Sequence, residues 1–198
     1  MPGAARSRRA RRATPGALLL FPGAGSSASN PSLVAIEQAL APMPVERADF
    51  PYRREGRRAP DRAPKLVACV VEEAGRLADR AGIDPASVAL GGRSMGGRMC
   101  SLAVAEGLLA AALVLIAYPL HPPGKPENLR VAHFPDLRLP CLFVSGTRDP
   151  FGTPAEMEAH TTAIPGPVTH VWLEGGRHDL RGRDGEIAEI VRDWLGGG

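Results

Sequence analysis

Short apolar runs alternate along this chain with segments whose apolar residues recur at helical spacing. The run at residues 111–118 (AALVLIAY) is continuously apolar, which is typical of a central strand buried on both faces of a parallel sheet. We interpret the following segments as strands: 17–21, 45–50, 88–90, 111–118, 141–145 and 168–173. We interpret the following segments between them as helices: 65–80, 95–106, 154–162 and 184–195. This order predicts the α/β class, with a three-layer, doubly wound and mostly parallel sheet of about six strands.

Length and composition fit a single domain. The chain has 198 residues, of which 44% are hydrophobic and 23% are charged, as is typical of one globular unit with a substantial core. No apolar run approaches the roughly 20 residues that a membrane-spanning helix needs, so we expect no membrane partner. We predict one domain over residues 14–198.

The positive charge is concentrated at the start of the chain. The formal net charge is +3, yet residues 1–13 hold five arginines and no carboxylate. Without those five charges the remainder has a net charge of −2, so we expect no nucleic-acid partner for the folded body. We interpret residues 1–13 as a disordered basic tail, because they contain too few apolar residues to pack. A tail that binds phosphates is the alternative.

The arginine pairs before residues 17–21 resemble the start of an export signal. The apolar segment of such a signal needs about 7–15 residues, and this run stops at Pro22.

The chain has an odd number of cysteines, and all three lie in apolar segments: Cys69, Cys100 and Cys141. They are expected to be reduced core residues. We therefore predict a cytoplasmic protein, and the sequence indicates neither a metal site nor a cofactor.

The sharpest local signal is the sequence GRSMG at residues 92–96, which places Ser94 between a predicted strand and a predicted helix. Such a turn forces the serine into a strained conformation that exposes its hydroxyl, and the flanking glycines avoid clashes. A serine in a purely structural turn is the alternative. The preceding apolar strand and the following helix rich in small residues favour Ser94 as a nucleophile.

A serine nucleophile needs a base, and the base needs an orienting acid. Asp149 follows the predicted strand 141–145, and His178 follows the predicted strand 168–173. The carboxyl ends of parallel strands meet at one edge of a sheet, where ligands bind. The sequence therefore predicts a Ser94–His178–Asp149 triad. Asp149 could instead begin a turn before Pro150.

Other histidines compete with His178 for the role of base. His160 lies in a predicted helix and His170 in a predicted strand, so both project poorly towards the site. His121 and His133 follow the central strand, in a loop that could overhang the site and contact substrate.

An oxyanion formed at the substrate carbonyl needs backbone N–H donors. The residue after the nucleophile, Met95, is expected to supply one donor, and the loop after the first strand is expected to supply the second. We select Ala24 because glycines flank it, with Gly25 as the alternative. No Lys-Ser or Lys-Thr pair follows this glycine-rich loop, so it does not indicate a phosphate-binding loop.

Longer stretches of the chain resemble a branch of hydrolases close to the dienelactone-hydrolase-like α/β-hydrolases, which includes testis-expressed relatives and a histone-acetyltransferase-complex subunit. The matching stretches are FPGAGSS, ADFPYRREGRRAPDRAP, GGRSMGGRM, YPLHPPGKPENLR, GTRDPFG and GGRHDL. The resemblance implies the hydrolase fold and the same triad of Ser94, Asp149 and His178, but no substrate. One departure is Pro22-Gly23, where many hydrolases have His-Gly.

The sequence has no insertion long enough for a cap domain, so we expect a minimal hydrolase fold with a shallow site. Its rim is predicted along residues 52–62 and 118–130, with Tyr118, His121 and Arg53 as possible substrate contacts. The arginines of the first segment would favour acidic acyl groups, or they form a solvated loop balanced by nearby acids.

Two functions compete at this point. The first is a serine hydrolase that acts on small carboxylic esters or thioesters through an acyl-enzyme. The second is a catalytically weak hydrolase-fold module for protein interaction, since a fold alone does not determine function.

Overall fold

A computed structural model describes residues 14–196 and shows a six-stranded sheet in the order β2-β1-β3-β4-β5-β6. All neighbouring strands run parallel. The strands are β1 (Ala17–Phe21), β2 (Val45–Arg47), β3 (Val88–Arg93), β4 (Ala112–Ile116), β5 (Cys141–Gly146) and β6 (Val168–Leu173). This arrangement confirms the predicted fold class, and the sheet is entirely parallel.

Five of the six α-helices in the described residues lie between strands, and the sixth follows β6. The helices are α1 (Pro31–Leu40), α2 (Pro51–Arg54), α3 (Ala63–Ala81), α4 (Met95–Ala105), α5 (Pro154–Thr161) and α6 (Asp184–Leu195). Short 3-10 turns lie at Pro85–Ser87 and Phe134–Asp136. Within residues 14–196, none of these elements forms a cap domain, and no helix is long and apolar enough to cross a membrane.

The side-chain alternation of β1 shows why the sheet is covered on both faces. Leu19 and Phe21 join the core beneath α3 and α4, whereas Leu18 and Leu20 join the core beneath α1 and α6. All five residues of β1 are fully buried, and each leucine contributes about 1.5–3 kcal/mol through that burial. Because β1 lies between β2 and β3, the first strand of the chain is held firmly inside the sheet.

Several bounds differ from the predictions. The edge strand β2 ends at Arg47, whereas the prediction extended to Phe50, and α1 was not predicted at all. The Asn30 side chain caps α1 by accepting a hydrogen bond from the Ser32 N–H, and Pro31 suits the first helical position.

The predicted basic tail, residues 1–13, lies outside the described residues. The three cysteines are buried, as predicted.

Candidate active site

Ser94 stands at a sharp turn between β3 and α4, with a φ of 48° and a ψ of −114°. This left-handed backbone is strained for any residue other than glycine. A methyl group at Gly92 or at Gly96 would overlap the Phe21 carbonyl oxygen. Glycine at both positions therefore lets the elbow pack directly against the end of β1, which explains the GRSMG pattern in steric terms.

A continuous chain of hydrogen bonds runs from Ser94 to Asp149. The Ser94 Oγ lies 2.8 Å from the His178 Nε2, and the His178 Nδ1 lies 2.8 Å from the Asp149 Oδ2. Ser94 follows β3, Asp149 follows β5 and His178 follows β6. The structure thus brings the three residues together at the carboxyl ends of three parallel strands.

Asp149 and His178 are both held from more than one side. Asp149 is only 4% exposed, and its Oδ1 accepts a hydrogen bond from the Phe151 N–H at 2.8 Å. The Phe151 ring stacks on the imidazole of His178 with a centroid separation of 3.9 Å. Phe151 therefore restricts the rotation of the imidazole and covers one of its faces.

Arg93, the residue before the serine, holds the backbone of the loop that contains His178. Its Nη2 donates to the His178 carbonyl oxygen at 3.0 Å, and its Nη1 donates to the Ser32 Oγ at 3.0 Å. The Ser32 hydroxyl donates in turn to Asp184 at 2.6 Å. Burial lowers the pKa of Arg93, while the nearby carboxylates, Asp184 first, oppose that shift. A buried cation thus joins β3, α1, α6 and the loop of His178.

Ala24 and Met95, the residues expected to supply the oxyanion donors, lie near the serine. Neither the Ala24 N–H nor the Met95 N–H donates a hydrogen bond to any residue in 14–196, and both residues line the same cavity as Ser94. The Tyr52 hydroxyl donates to the Ala24 carbonyl oxygen at 2.8 Å, which anchors this loop. Gly25 also lines the cavity, so it stays the alternative donor.

The cavity beside Ser94 has a volume of about 900 Å³. Its charged lining consists of Arg93, Arg98, Arg130, Arg177 and Asp179. The cationic side chains therefore outnumber the carboxylates that line this space.

The structure places the three possible rim residues elsewhere. Tyr118 and His121 are only 2% and 6% exposed, and neither they nor Arg53 lies among the residues that line the cavity. The Tyr118 hydroxyl donates to the Arg130 carbonyl oxygen at 2.6 Å, so this side chain points into the core as a support. The loop that contains His121 nevertheless reaches the cavity, through Pro119 and Arg130.

Two of the four arginines in residues 53–58, considered as a basis for preferring acidic acyl groups, pair with carboxylates elsewhere, and none of the four lines the cavity. Arg54 lies 2.6 Å from Glu73, and Arg57 lies 2.9 Å from Asp61. Sequence reasoning missed Arg93, Arg98 and Arg177, which do line the cavity, whereas Arg130 lies in the predicted rim segment 118–130. Arg98 follows Ser94 by one helical turn, and this spacing is the signal that could have identified it.

A serine hydroxyl at a strand–helix elbow of a parallel sheet, with an imidazole and a carboxylate behind it, defines the class of α/β-hydrolase-fold proteins. The sequence matches the family described as "Alpha/beta hydrolase domain" over residues 14–189, and the chain belongs to that family.

Solved structures share this fold at low sequence identity. An alpha-beta serine hydrolase homologue from Coxiella burnetii is 18% identical with a TM-score of 0.71, covering 94% of this chain and 88% of that one. Est1E from Butyrivibrio proteoclasticus is 15% identical with a TM-score of 0.72, covering 96% and 89% respectively. Dienelactone hydrolase from Anabaena variabilis is 19% identical with a TM-score of 0.69, covering 92% and 86%. At such identities the likeness is one of fold.

Proposed function

We propose that this protein is a serine hydrolase that cleaves small carboxylic esters or thioesters through an acyl-enzyme. The observation that carries the proposal is the hydrogen-bonded series Ser94–His178–Asp149, with 2.8 Å at each link. Membership of the α/β-hydrolase family supports it. The buried cysteines support the further proposal of a cytoplasmic location.

The geometry suits a two-step acyl transfer. The Ser94 Oγ attacks the substrate carbonyl carbon while the His178 Nε2 accepts the hydroxyl proton. Asp149 holds the imidazole in the tautomer with a proton on Nδ1 and stabilises the imidazolium. The N–H groups of Ala24 and Met95 donate to the oxygen that becomes negatively charged.

Collapse of the tetrahedral intermediate breaks the bond to the leaving group, which takes the proton from His178. A water molecule then attacks the acyl carbon while His178 accepts one of its protons. The second collapse returns that proton to the Ser94 Oγ and releases the carboxylic acid.

A fluorophosphonate probe tests this proposal directly. We expect covalent labelling at Ser94 and slow hydrolysis of short 4-nitrophenyl esters, because an uncapped cavity supplies little binding energy from remote parts of the substrate. Ser94→Ala is expected to abolish both. Ser29→Ala is the matched control, since Ser29 is exposed and does not line the cavity.

Folded protein that neither takes up the probe at Ser94 nor cleaves any short ester would overturn the enzyme proposal. The interaction module with weak catalysis would then be the better account.

A further inference from the structure

Two half-buried arginines that line the candidate active-site cavity, Arg98 and Arg130, have no acidic partner among the described residues. Neither the Arg98 nor the Arg130 guanidinium makes a hydrogen bond or an ion pair with any side chain or backbone group in residues 14–196. Other arginines of this protein do pair: Arg47, Arg54 and Arg76 lie 2.7, 2.6 and 3.2 Å from glutamates. Arg98 and Arg130 differ from these three arginines in that no carboxylate among the described residues offsets their charge.

Arg98 is fixed by the same helix that carries the serine elbow. It lies in the first turn of α4, and its N–H donates to the Ser94 carbonyl oxygen at 3.1 Å. Its Nε is buried and has no hydrogen-bond partner among the described residues. A buried donor without a partner is unfavourable.

Arg130 is held beside Arg98 by its backbone. Its N–H donates to the Leu120 carbonyl oxygen at 2.8 Å, and its own carbonyl oxygen accepts from Tyr118 at 2.6 Å. Burial lowers the pKa of Arg130, and the neighbouring charge of Arg98 lowers it further. Two cations thus repel each other at one wall of the cavity.

The polar groups around this pair do not supply the missing negative charge. His133 is hydrogen-bonded to Ser101 at 2.8 Å, and burial, with a smaller effect of Arg98, lowers the pKa of His133 to about 4. Burial raises the pKa of Tyr118. Both side chains are therefore neutral at pH 7, so neither offsets the positive charges of Arg98 and Arg130.

We propose that Arg98 and Arg130 form a subsite for an anionic oxygen group, a carboxylate or a phosphate, so that the preferred substrates are esters or thioesters that carry such a group. This inference rests on the proposed function and specifies its substrate class. The planar guanidinium binds these groups through paired N–H donors. An anion here would relieve the repulsion between the two cations.

Matched substrates test the subsite. The carboxylate arm compares mono(4-nitrophenyl) adipate with 4-nitrophenyl hexanoate, and the phosphate arm uses the 6-phosphooxyhexanoate ester. A third pair places the carboxylate on the alcohol side, with the butyrate esters of 4-hydroxybenzoate and 4-hydroxybenzamide. For at least one charged ester we expect a kcat/KM about 10- to 100-fold above that of its neutral partner, as charge-assisted hydrogen bonds provide.

The double variant Arg98→Gln/Arg130→Gln is expected to remove this preference. The control Arg138→Gln deletes the same kind of charge from an exposed position outside the cavity, and the preference should persist in it. Equal kcat/KM for charged and neutral esters in the wild-type protein would overturn the subsite. So would an undiminished preference in the double variant, or an equal loss in Arg138→Gln.

A binding measurement separates failure of the subsite from failure of the proposed function. At constant ionic strength, adipate or inorganic phosphate should raise the melting temperature of the wild-type protein and of Arg138→Gln, but not that of the folded double variant. Anion binding without any ester hydrolysis would support the subsite and overturn the hydrolase. Hydrolysis without preference or anion binding would leave the hydrolase and overturn the subsite.

Discussion

Asp149 combines two local tasks in one carboxylate. Both of its oxygens face the His178 Nδ1, at 3.0 and 2.8 Å, and its Oδ1 also accepts from the Phe151 N–H at 2.8 Å. The same side chain therefore orients the imidazole and shapes the loop that carries the stacked phenyl ring. An amide at this position would keep the size of the group but lose its charge.

We expect Asp149→Asn to lower kcat by about 10⁴-fold, because an amide favours the wrong imidazole tautomer, as in the Ser-His-Asp template. Steady-state hydrolysis of a 4-nitrophenyl ester measures the loss. The losses of Asp149→Asn and Ser94→Ala should not add in the double variant, because such groups act as a unit. Near-normal kcat in folded Asp149→Asn protein would contradict the role given to this carboxylate.

At the residue scale, the sequence predicts those side chains whose position follows from a strand end. Ser94, Asp149 and His178 each follow a predicted strand, and the parallel order brings these ends together. Arg98 is not predicted, and Arg130 is predicted only as part of the rim segment 118–130, because their meeting at one cavity depends on how α4 and the loop after β4 pack. The spacing of Arg98 from Ser94 places Arg98 near the serine, but no local pattern of the sequence brings Arg98 and Arg130 to the same cavity.

At the scale of elements, the buried Arg93 connects parts of the fold that are distant in sequence. Through Ser32 and the His178 carbonyl oxygen it joins the N-terminal turn of α1 to the loop after β6, and Asp184 brings in the first turn of α6. We infer that Arg93 is a positioning residue, which acts on the reaction by holding the backbone of His178.

Arg93→Met is expected to reduce the free energy of unfolding by about 1–3 kcal/mol, since it leaves buried acceptors unpaired. It should also lower kcat more than it changes KM, because the imidazole is no longer held at hydrogen-bonding distance from Ser94. Chemical denaturation and steady-state kinetics provide the two measurements.

Ser32→Ala is the matched control, because it deletes one hydrogen bond of Arg93 but keeps the bond to His178. We expect a loss of stability there with a smaller loss of kcat. Equal effects of both variants on kcat would show that the bond from Arg93 to the His178 carbonyl oxygen does not influence the reaction.

The elements that sequence reasoning missed or misjudged lie at the margins of the sheet. Helix α1 was missed because only Ser32, Leu33 and Ile36 of its ten residues are buried, so its apolar periodicity is weak. The strand β2 has only one neighbour, β1, and its three residues are half-buried. No change in hydrophobicity along the sequence therefore shows where β2 ends. The fully buried β1, β3, β4 and β5 carry the clearest signals.

For the whole molecule, the distribution of charge yields a prediction about the basic tail. Deletion of residues 1–13 removes five arginines and changes the formal net charge from +3 to −2. We expect the melting temperature and ester hydrolysis to be unchanged, because a segment with so few apolar residues buries little surface. Elution from a heparin column should shift to lower salt. A large drop in melting temperature would instead show that the segment docks on the domain.

The all-parallel sheet also determines when the serine elbow can form during folding. Neighbouring strands join distant parts of the chain: Leu18 pairs with Val45, and Ala17 pairs with Val88. Parallel strands need crossover connections and cannot pair as local hairpins, and contacts of such long range slow folding. Because the Ser94 N–H donates to the Ile116 carbonyl oxygen on β4 at 2.8 Å, the elbow is complete only when β3 and β4 lie side by side. Under the proposed function, a chain still emerging from the ribosome carries a serine of ordinary reactivity, and the nucleophilic character of Ser94 appears only with the finished sheet.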